Sequence, residues 1–321
     1  MNIKVILIVL GEPYSIFSEI LAKFFANSRK RKEKIILIGN LNLFKSQIKK
    51  MNYSMKINQI NSFNEATYQK INFINVNFIY KKIFSKITNN SNRYIEKCFD
   101  IALKILKKNK RQSILINGPV SKKTFLNKKY LGITEYLSKK TNSKSEVMLI
   151  YNEKFSVSPI TTHIPLKYVA KNISKKKIIN NVIKINNFMK KNLKAKANFA
   201  ILGLNPHCET IDKYSEEEKI IYPSIKILKK RGIKVDGPFS ADTFFLKNNL
   251  LRYNVVIGMY HDQVLTPIKT LFNFNAINLT IGLPFLRISP DHGPNFKMLG
   301  KNKSDPSSFF YAMKIIKKIS Y

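Results

Sequence analysis

Apolar and polar positions along this chain fall into two alternating patterns. Short, largely apolar runs at 3–10, 34–39, 113–116, 147–151, 199–204 and 254–259 read as buried strands. Between them, apolar residues recur at helical spacing from the GEPYSIFSEI stretch through about residue 27 and again over 41–50. Over 93–109 the helical pattern is clearest, with Ile95, Cys98, Ile101, Ala102, Ile105 and Leu106 on one face. Further helices are predicted over 174–192, from 215 with an interruption at Pro223 and a resumption over 225–230, and over 306–319. The segment 51–92 is Asn-rich and ambiguous, with short strands around 71–79. Strand, tight turn and helix in repeated succession announce an α/β fold.

One stretch, 258–293, concentrates the chemistry. It holds two of the four histidines, a lysine, an arginine and three asparagines that look buried. The apolar run before it ends in Tyr260-His261-Asp262, and open α/β sheets bind ligands at the carboxyl ends of their strands. His163 in Thr-Thr-His and His207 in Asn-Pro-His also follow the ends of apolar runs. A single strand-end histidine is more often a hydrogen-bonded structural residue. Three in one setting, in a chain with only 4 histidines, favour an open divalent-metal site with positions left for substrate oxygens. His292, in a Pro-Asp-His-Gly turn, reads as a loop residue near a ligand. NGPVSKKTF forms a strand-to-helix turn whose outward backbone N–H groups can hold an anion.

Composition narrows the class. The 321 residues suffice for about two α/β domains or one large one. Lys+Arg is 57 against Asp+Glu 19, a formal net charge of +38, which would ordinarily point to a polyanion. The lysines are scattered rather than striped, and Lys, Asn and Ile are enriched together even in loops, so drift of neutral surface positions is favoured over nucleic-acid binding. Cys98 and Cys208 are far apart and lack CxxC spacing, which argues against a disulfide framework and fits a reduced, cytoplasmic compartment. The apolar run before Gly11-Glu12-Pro13 is only about six residues, short for a signal-peptide core and too short for a bilayer. Among the 11 glycines no two are two residues apart, so G-x-G-x-x-G cannot occur. Gly232 to Gly237 has Walker-type spacing but is followed by Pro238, which excludes a phosphate loop of that kind.

Several blocks in register resemble the 4-hydroxythreonine-4-phosphate dehydrogenase family of vitamin B6 synthesis. They are GEPYSIFSEI, NGPVSKKTF, GITEYLSKKT, TTHIPL, LGLNPHCE, GPFSADTFF, GMYHDQ and NLTIGLPFLRISPDHG, running from residue 11 to about 300. The resemblance implies a three-layer α/β/α fold like that of isocitrate and isopropylmalate dehydrogenases, with two lobes and a cleft. One lobe would comprise 1–125 with 267–321 on the cofactor side, the other 126–266 with the metal histidines. It further implies a homodimer with a shared active site. The family oxidises the C3 hydroxyl of 4-phosphooxy-threonine, a small phosphorylated hydroxy amino acid, with NAD or NADP, and the keto acid then loses CO2 to give 3-amino-2-oxopropyl phosphate.

Residue by residue, the resemblance matches His163, His207 and His261 to ligands for zinc, cobalt or magnesium, the same three histidines that strand ends single out. It matches Lys269, Asn278 and Arg287 to substrate contacts, and Thr134 to the threonine of a substrate-binding His-Thr pair. Lys269 and Arg287 would neutralise carboxylate or phosphate. Asp242 and Asp262 are candidates for the proton acceptor, and equally for capping or ligand-orienting carboxylates. The loop 292–306 is similar to the adenosine-side loop of the isocitrate dehydrogenase group, which would give Gly293 and Asp305 to the cofactor; a plain surface loop is the alternative.

Departures from the family pattern are specific. Ile133 stands where the family has histidine, and Ser15, Phe17, Val264 and the residue after Cys208 stand where glycines are usual, each loss restricting positive φ. Beside the B6-pathway dehydrogenase, two further readings stay open: a dehydrogenase of another metal-chelated hydroxy acid, such as a phosphorylated threonate or a cis-diol acid, and a basic nucleic-acid-binding protein that has lost catalysis.

Overall fold

The structure is a computed structural model that describes residues 5–27, 33–109, 113–127, 129–144, 146–208, 214–273 and 275–319. In chain order the strands are β1 (Val5–Val9), β2 (Lys34–Gly39), β3 (Ile57–Ile60), β4 (Ile71–Asn75), β5 (Ser113–Asn117), β6 (Val147–Tyr151), β7 (Ser156–Thr161), β8 (Phe199–Leu202), β9 (Val235–Phe239), β10 (Val255–Tyr260), β11 (Ile277–Ile281) and β12 (Leu286–Ser289). The chain divides into two compact units, Met1–Lys144 with Leu283–Tyr321, and Ser145–Gly282. Sequence reasoning placed the divisions at 125/126 and 266/267. The helix Ile133–Lys140 packs Tyr136 and Leu137 into the core of the first unit, which carries that unit past residue 126. Strand β11 pairs with β6, which keeps it in the second.

In the first unit the strand order is β3-β4-β2-β1-β5-β12, and every pairing is parallel. Side chains alternate across a strand. Val5, Leu7 and Val9 therefore join Ile95, Cys98, Phe99 and Ala102 of helix Asn92–Lys108 in one cluster. Ile6 and Ile8 point the other way and are equally buried. A sheet covered on both faces needs continuous apolar strands, which is why these runs were legible.

In the second unit the order is β11-β6-β7-β10-β8-β9, with β6 antiparallel to both β11 and β7 and the other neighbours parallel. Helix His261–Phe272 places Val264, Leu265 and Ile268 against Val157, Ala200, Leu202 and Val256. Helix Lys175–Asn192 packs on β6, β7 and β11. Pro223 does not break the helix as expected: it lies in the first turn of Tyr222–Lys230, where its missing N–H is harmless, and a wider turn over Glu217–Ile221 precedes it.

The glycine departures are absorbed without strain. Ser15, Phe17 and Val264 are not among the positive-φ residues, so the expected backbone restriction does not arise. The position after Cys208 lies outside the described residues. Val264 is fully buried, and its side chain fills the space above Gly258, where a Cβ would come within 2.5 Å of it. Restoring glycine, Val264→Gly, should therefore lower stability by about 3 kcal/mol, from a cavity plus helical glycine. The shift of the urea midpoint measures it, and an unchanged midpoint would contradict this packing.

Candidate active-site residues

Three adjacent parallel strands of the second unit, β7, β10 and β8, are each followed by a histidine. Tyr260 pairs with Thr161, and Ile257 with Ile201, which aligns the carboxyl ends. His261 follows Tyr260 directly, His163 lies just past β7, and His207 lies in the turn after β8. The rings of His163 and His261 are 5.6 Å apart between centroids. Nδ1 of His261 is 2.6 Å from Oδ1 of Asp262. A neutral imidazole donating there presents its Nε2 lone pair outward, the arrangement that orients a metal ligand. His207 adopts φ 56° and its side chain is 73% exposed, with Nδ1 4.0 Å from Oδ2 of Asp242. The described residues of one chain contain no cluster of three histidine, cysteine or acidic groups able to hold an ion. The expected triad is thus two imidazoles brought together and a third at the same sheet edge but apart.

Asp242 is itself fixed by Ser240 Oγ at 2.5 Å and the Thr243 N–H at 2.8 Å. The Ser240 hydrogen bond holds its carboxyl below the ordinary range, with the backbone bond and the neighbouring His207 adding to it. Lys269 is exposed on helix His261–Phe272, two turns and about 12 Å along the axis from His261. Asn278 on β11 is half-buried, and its Oδ1 is buried with no hydrogen-bond partner among the described residues. Asn273 and Asn275, expected to be buried with it, are exposed in the turn before β11.

In the first unit Arg287 on β12 is 1% exposed. Its Nε donates to Oδ1 of Asn117 at 2.7 Å and its Nη1 to Oγ1 of Thr134 at 2.9 Å. Burial pushes the guanidinium down to about 10, with Glu135 opposing the shift, so it is a cation at neutral pH. Thr134 and Arg287, singled out separately, therefore meet. Asn117 was missed; its signal is an amide closing the apolar run of β5. Ile133 packs against the unit's core from the start of the same helix as Thr134.

The turn after β1 carries a buried acid. Glu12 is 2% exposed; its Oε1 accepts from Ser91 Oγ at 2.7 Å while Oε2 is buried without a partner. It borders a cavity of about 20 Å3 with Asn40, Gln47 and Tyr94, room for one water. Burial raises its pKa from 4.5 to about 7. A raised folded-state pKa means stability is full below 4.5 and falls as pH climbs through 7. Glu12→Gln should thus be more stable than wild type by about 3 kcal/mol above neutrality, the gap closing in acid. Denaturant unfolding at both ends of that range tests this, and a pH-independent difference would refute it.

For a nicotinamide cofactor the loop 292–305 offers a mixed fit. Space beyond Gly293 is open, and Nε2 of His292 is buried without a partner. Oδ1 of Asp305, however, accepts from the Ser307 N–H at 2.8 Å and from Ser307 Oγ, at the start of helix Ser307–Lys318. That carboxylate is engaged in capping.

Residues 31–316 match the family described as pyridoxal phosphate biosynthetic protein PdxA. The chain belongs to the PdxA family. A relative from Sulfurihydrogenibium sp. (strain YO3AOP1), named 4-hydroxythreonine-4-phosphate dehydrogenase, is 35% identical over 312 residues, 96% of each chain. The crystal structure of 4-hydroxythreonine-4-phosphate dehydrogenase from Klebsiella pneumoniae matches with TM-score 0.82 at 25% identity, covering 98% of this chain and 99% of that one. Isocitrate dehydrogenase from Methylococcus capsulatus matches with TM-score 0.51 at 11% identity, covering 98% and 84%, a likeness of fold. The PdxA chain is therefore an α/β protein of the isocitrate dehydrogenase-like class, as expected. No helix of its described residues is long and apolar enough to cross a membrane.

Proposed function

We propose that the chain is a 4-hydroxythreonine-4-phosphate dehydrogenase. It oxidises the C3 hydroxyl of 4-phosphooxy-L-threonine with NAD or NADP to 2-amino-3-oxo-4-phosphooxybutanoate, which loses CO2 to give 3-amino-2-oxopropyl phosphate for vitamin B6 synthesis. The observation that carries the reading is the alignment of three histidine-bearing strand ends in a chain that belongs to PdxA along nearly its whole length.

His163, His207 and His261 are assigned to one divalent ion, zinc, magnesium or cobalt, and the set is completed by a second copy in a homodimer. The donor set fits such an ion, since Asp262 fixes His261 with one nitrogen outward. When bound, the ion supplies Lewis acidity toward the substrate oxygens. Arg287, with Thr134, binds an anionic group of the substrate through a desolvated cation, where charge attraction is strongest. Asn278 offers a bare carbonyl oxygen to a substrate N–H or O–H donor. Lys269 is assigned to a second anionic group. Asp242, which faces His207, and Asp262, which is engaged by His261, are the two candidates for the proton acceptor. Gly293 lines the adenosine side of the cofactor, with Asp305 shaping that loop through its cap. A reduced, cytoplasmic setting accords with two cysteines that form no disulfide.

Reduced-nicotinamide formation from 4-phosphooxy-threonine by the purified chain tests the reading. Turnover should vanish on chelation and return with zinc, magnesium or cobalt. Turnover indifferent to chelation would remove the metal assignment, and absence of turnover with this substrate under any divalent ion would remove the substrate.

A further inference from the structure

Beyond the last ladder bond of a parallel strand, backbone groups still need partners if they are buried. The β10–β8 ladder stops at the pair Ile257 and Ile201. Past it, the Met259 N–H and the Gly203 carbonyl are both taken by the side-chain amide of Gln263, which accepts from Met259 at 2.7 Å and donates to Gly203 at 2.8 Å. On the other side of β10, Thr161 Oγ1 donates to the Met259 carbonyl at 2.7 Å. The turn after Gly203 is gripped by Glu217, whose Oε1 accepts from the Leu204 and Asn205 N–H groups at 2.7 and 2.9 Å and whose Oε2 accepts from Asn205 Nδ2 at 2.8 Å. Thr161, Gln263 and Glu217 are 5%, 8% and 1% exposed. A Cβ at Gly203 would sit 2.6 Å from Cys208 Sγ and 3.0 Å from Glu217 Oε1, so a side chain there would displace one of them.

Each histidine lies two residues past a residue held by this set: His163 past Thr161, His261 past Met259, His207 past Asn205. We propose that Thr161, Gln263 and Glu217 are positioning residues: Thr161 and Gln263 tie the ends of β7, β10 and β8 to one another, and Glu217 fixes the turn that carries His207, before any ion binds. The inference rests on the metal role assigned to those histidines. Buried polar groups are ordinarily bonded, so a merely structural brace would change stability alone. A positioning brace must change ion affinity in protein that is still folded, because loosening the strand ends misplaces the rings; direct partners of metal ligands are worth about 10- to 100-fold in affinity, which sets the upper bound.

The test uses the full chain stripped of metal, with cobalt as the probe, and reads cobalt affinity by calorimetry beside the unfolding midpoint of the metal-free protein. Thr161→Val and Gln263→Met should weaken cobalt binding by about 10-fold, the lower end for a direct partner of a ligand, at temperatures where both are folded, and Thr161→Ser, which keeps the hydroxyl, should bind as wild type does. Wild-type affinity in the folded Thr161→Val and Gln263→Met proteins overturns the brace, whatever happens to their midpoints. If Gln263→Met does not fold, the Thr161→Val and Thr161→Ser pair decides alone. A wild-type chain that binds no cobalt, or His163→Ala binding as tightly as wild type, overturns the metal reading itself and the brace with it, and is distinguished by the failure lying in the parent rather than in the brace variants.

Discussion

Arg287→Met is expected to lower kcat/KM for the phosphorylated substrate about 100- to 1,000-fold while changing folding stability by little more than about 1 kcal/mol. The two halves of this expectation have separate causes. Burial pushes the guanidinium down to about 10, a shift that corresponds to a folding cost on the order of 3 kcal/mol. Because the shift is downward for a cation, that cost is constant below about pH 10 and is relieved only above it. Methionine removes the cost and fills similar volume, but it strands Asn117 Oδ1 and Thr134 Oγ1, worth about 1–3 kcal/mol each. The terms nearly cancel. Binding has no such cancellation, since a desolvated cation facing a substrate anion contributes about 2–5 kcal/mol when its partner is truncated away. Arg287→Lys keeps charge without the planar fork and should recover only part of the loss. A large fall in the unfolding midpoint with full activity per folded molecule would make Arg287 a structural residue instead.

Legibility in the sequence followed the physics of each element. Strands β1, β2, β5, β6 and β10 sit between covered faces, so their apolar runs were plain and their bounds came within about two residues. Strand β3, Ile-Asn-Gln-Ile at an edge of the sheet, has half-polar surroundings and no such run. Strands β11 and β12 are held by partners far off in the chain, β6 and β5, which local periodicity does not report. The same holds at the site. Arg287 and Asn117 are 170 residues apart in sequence, so the arginine was recognisable by resemblance and its supporting amide was not. Histidines at strand ends were visible because the residue type is rare in this chain and its setting repeats. Ring orientation was not visible: His207 turns toward Asp242 through a left-handed backbone conformation that no spacing encodes.

That orientation leads to the second large expectation. Within one chain His163 and His261 come together while His207 stands apart at the same edge. If the third donor is supplied by a second copy, His207→Ala and His261→Ala homodimers are each inactive, with kcat reduced at least about 1,000-fold because catalysis loses its Lewis acid. Mixing the two variants, dissociating and reassembling them gives a different result. In a two-fold dimer the hybrid carries one site with both lesions and one site with neither, whichever of the two histidines crosses over. Random reassembly makes half the dimers hybrids, so activity should return to roughly a quarter of wild type. Were all three histidines of a site drawn from one chain, every site in the mixture would keep a lesion and no activity would return. The amplitude of recovery against the ratio of the two variants, maximal at equal amounts, separates a shared ion from one held within a single subunit.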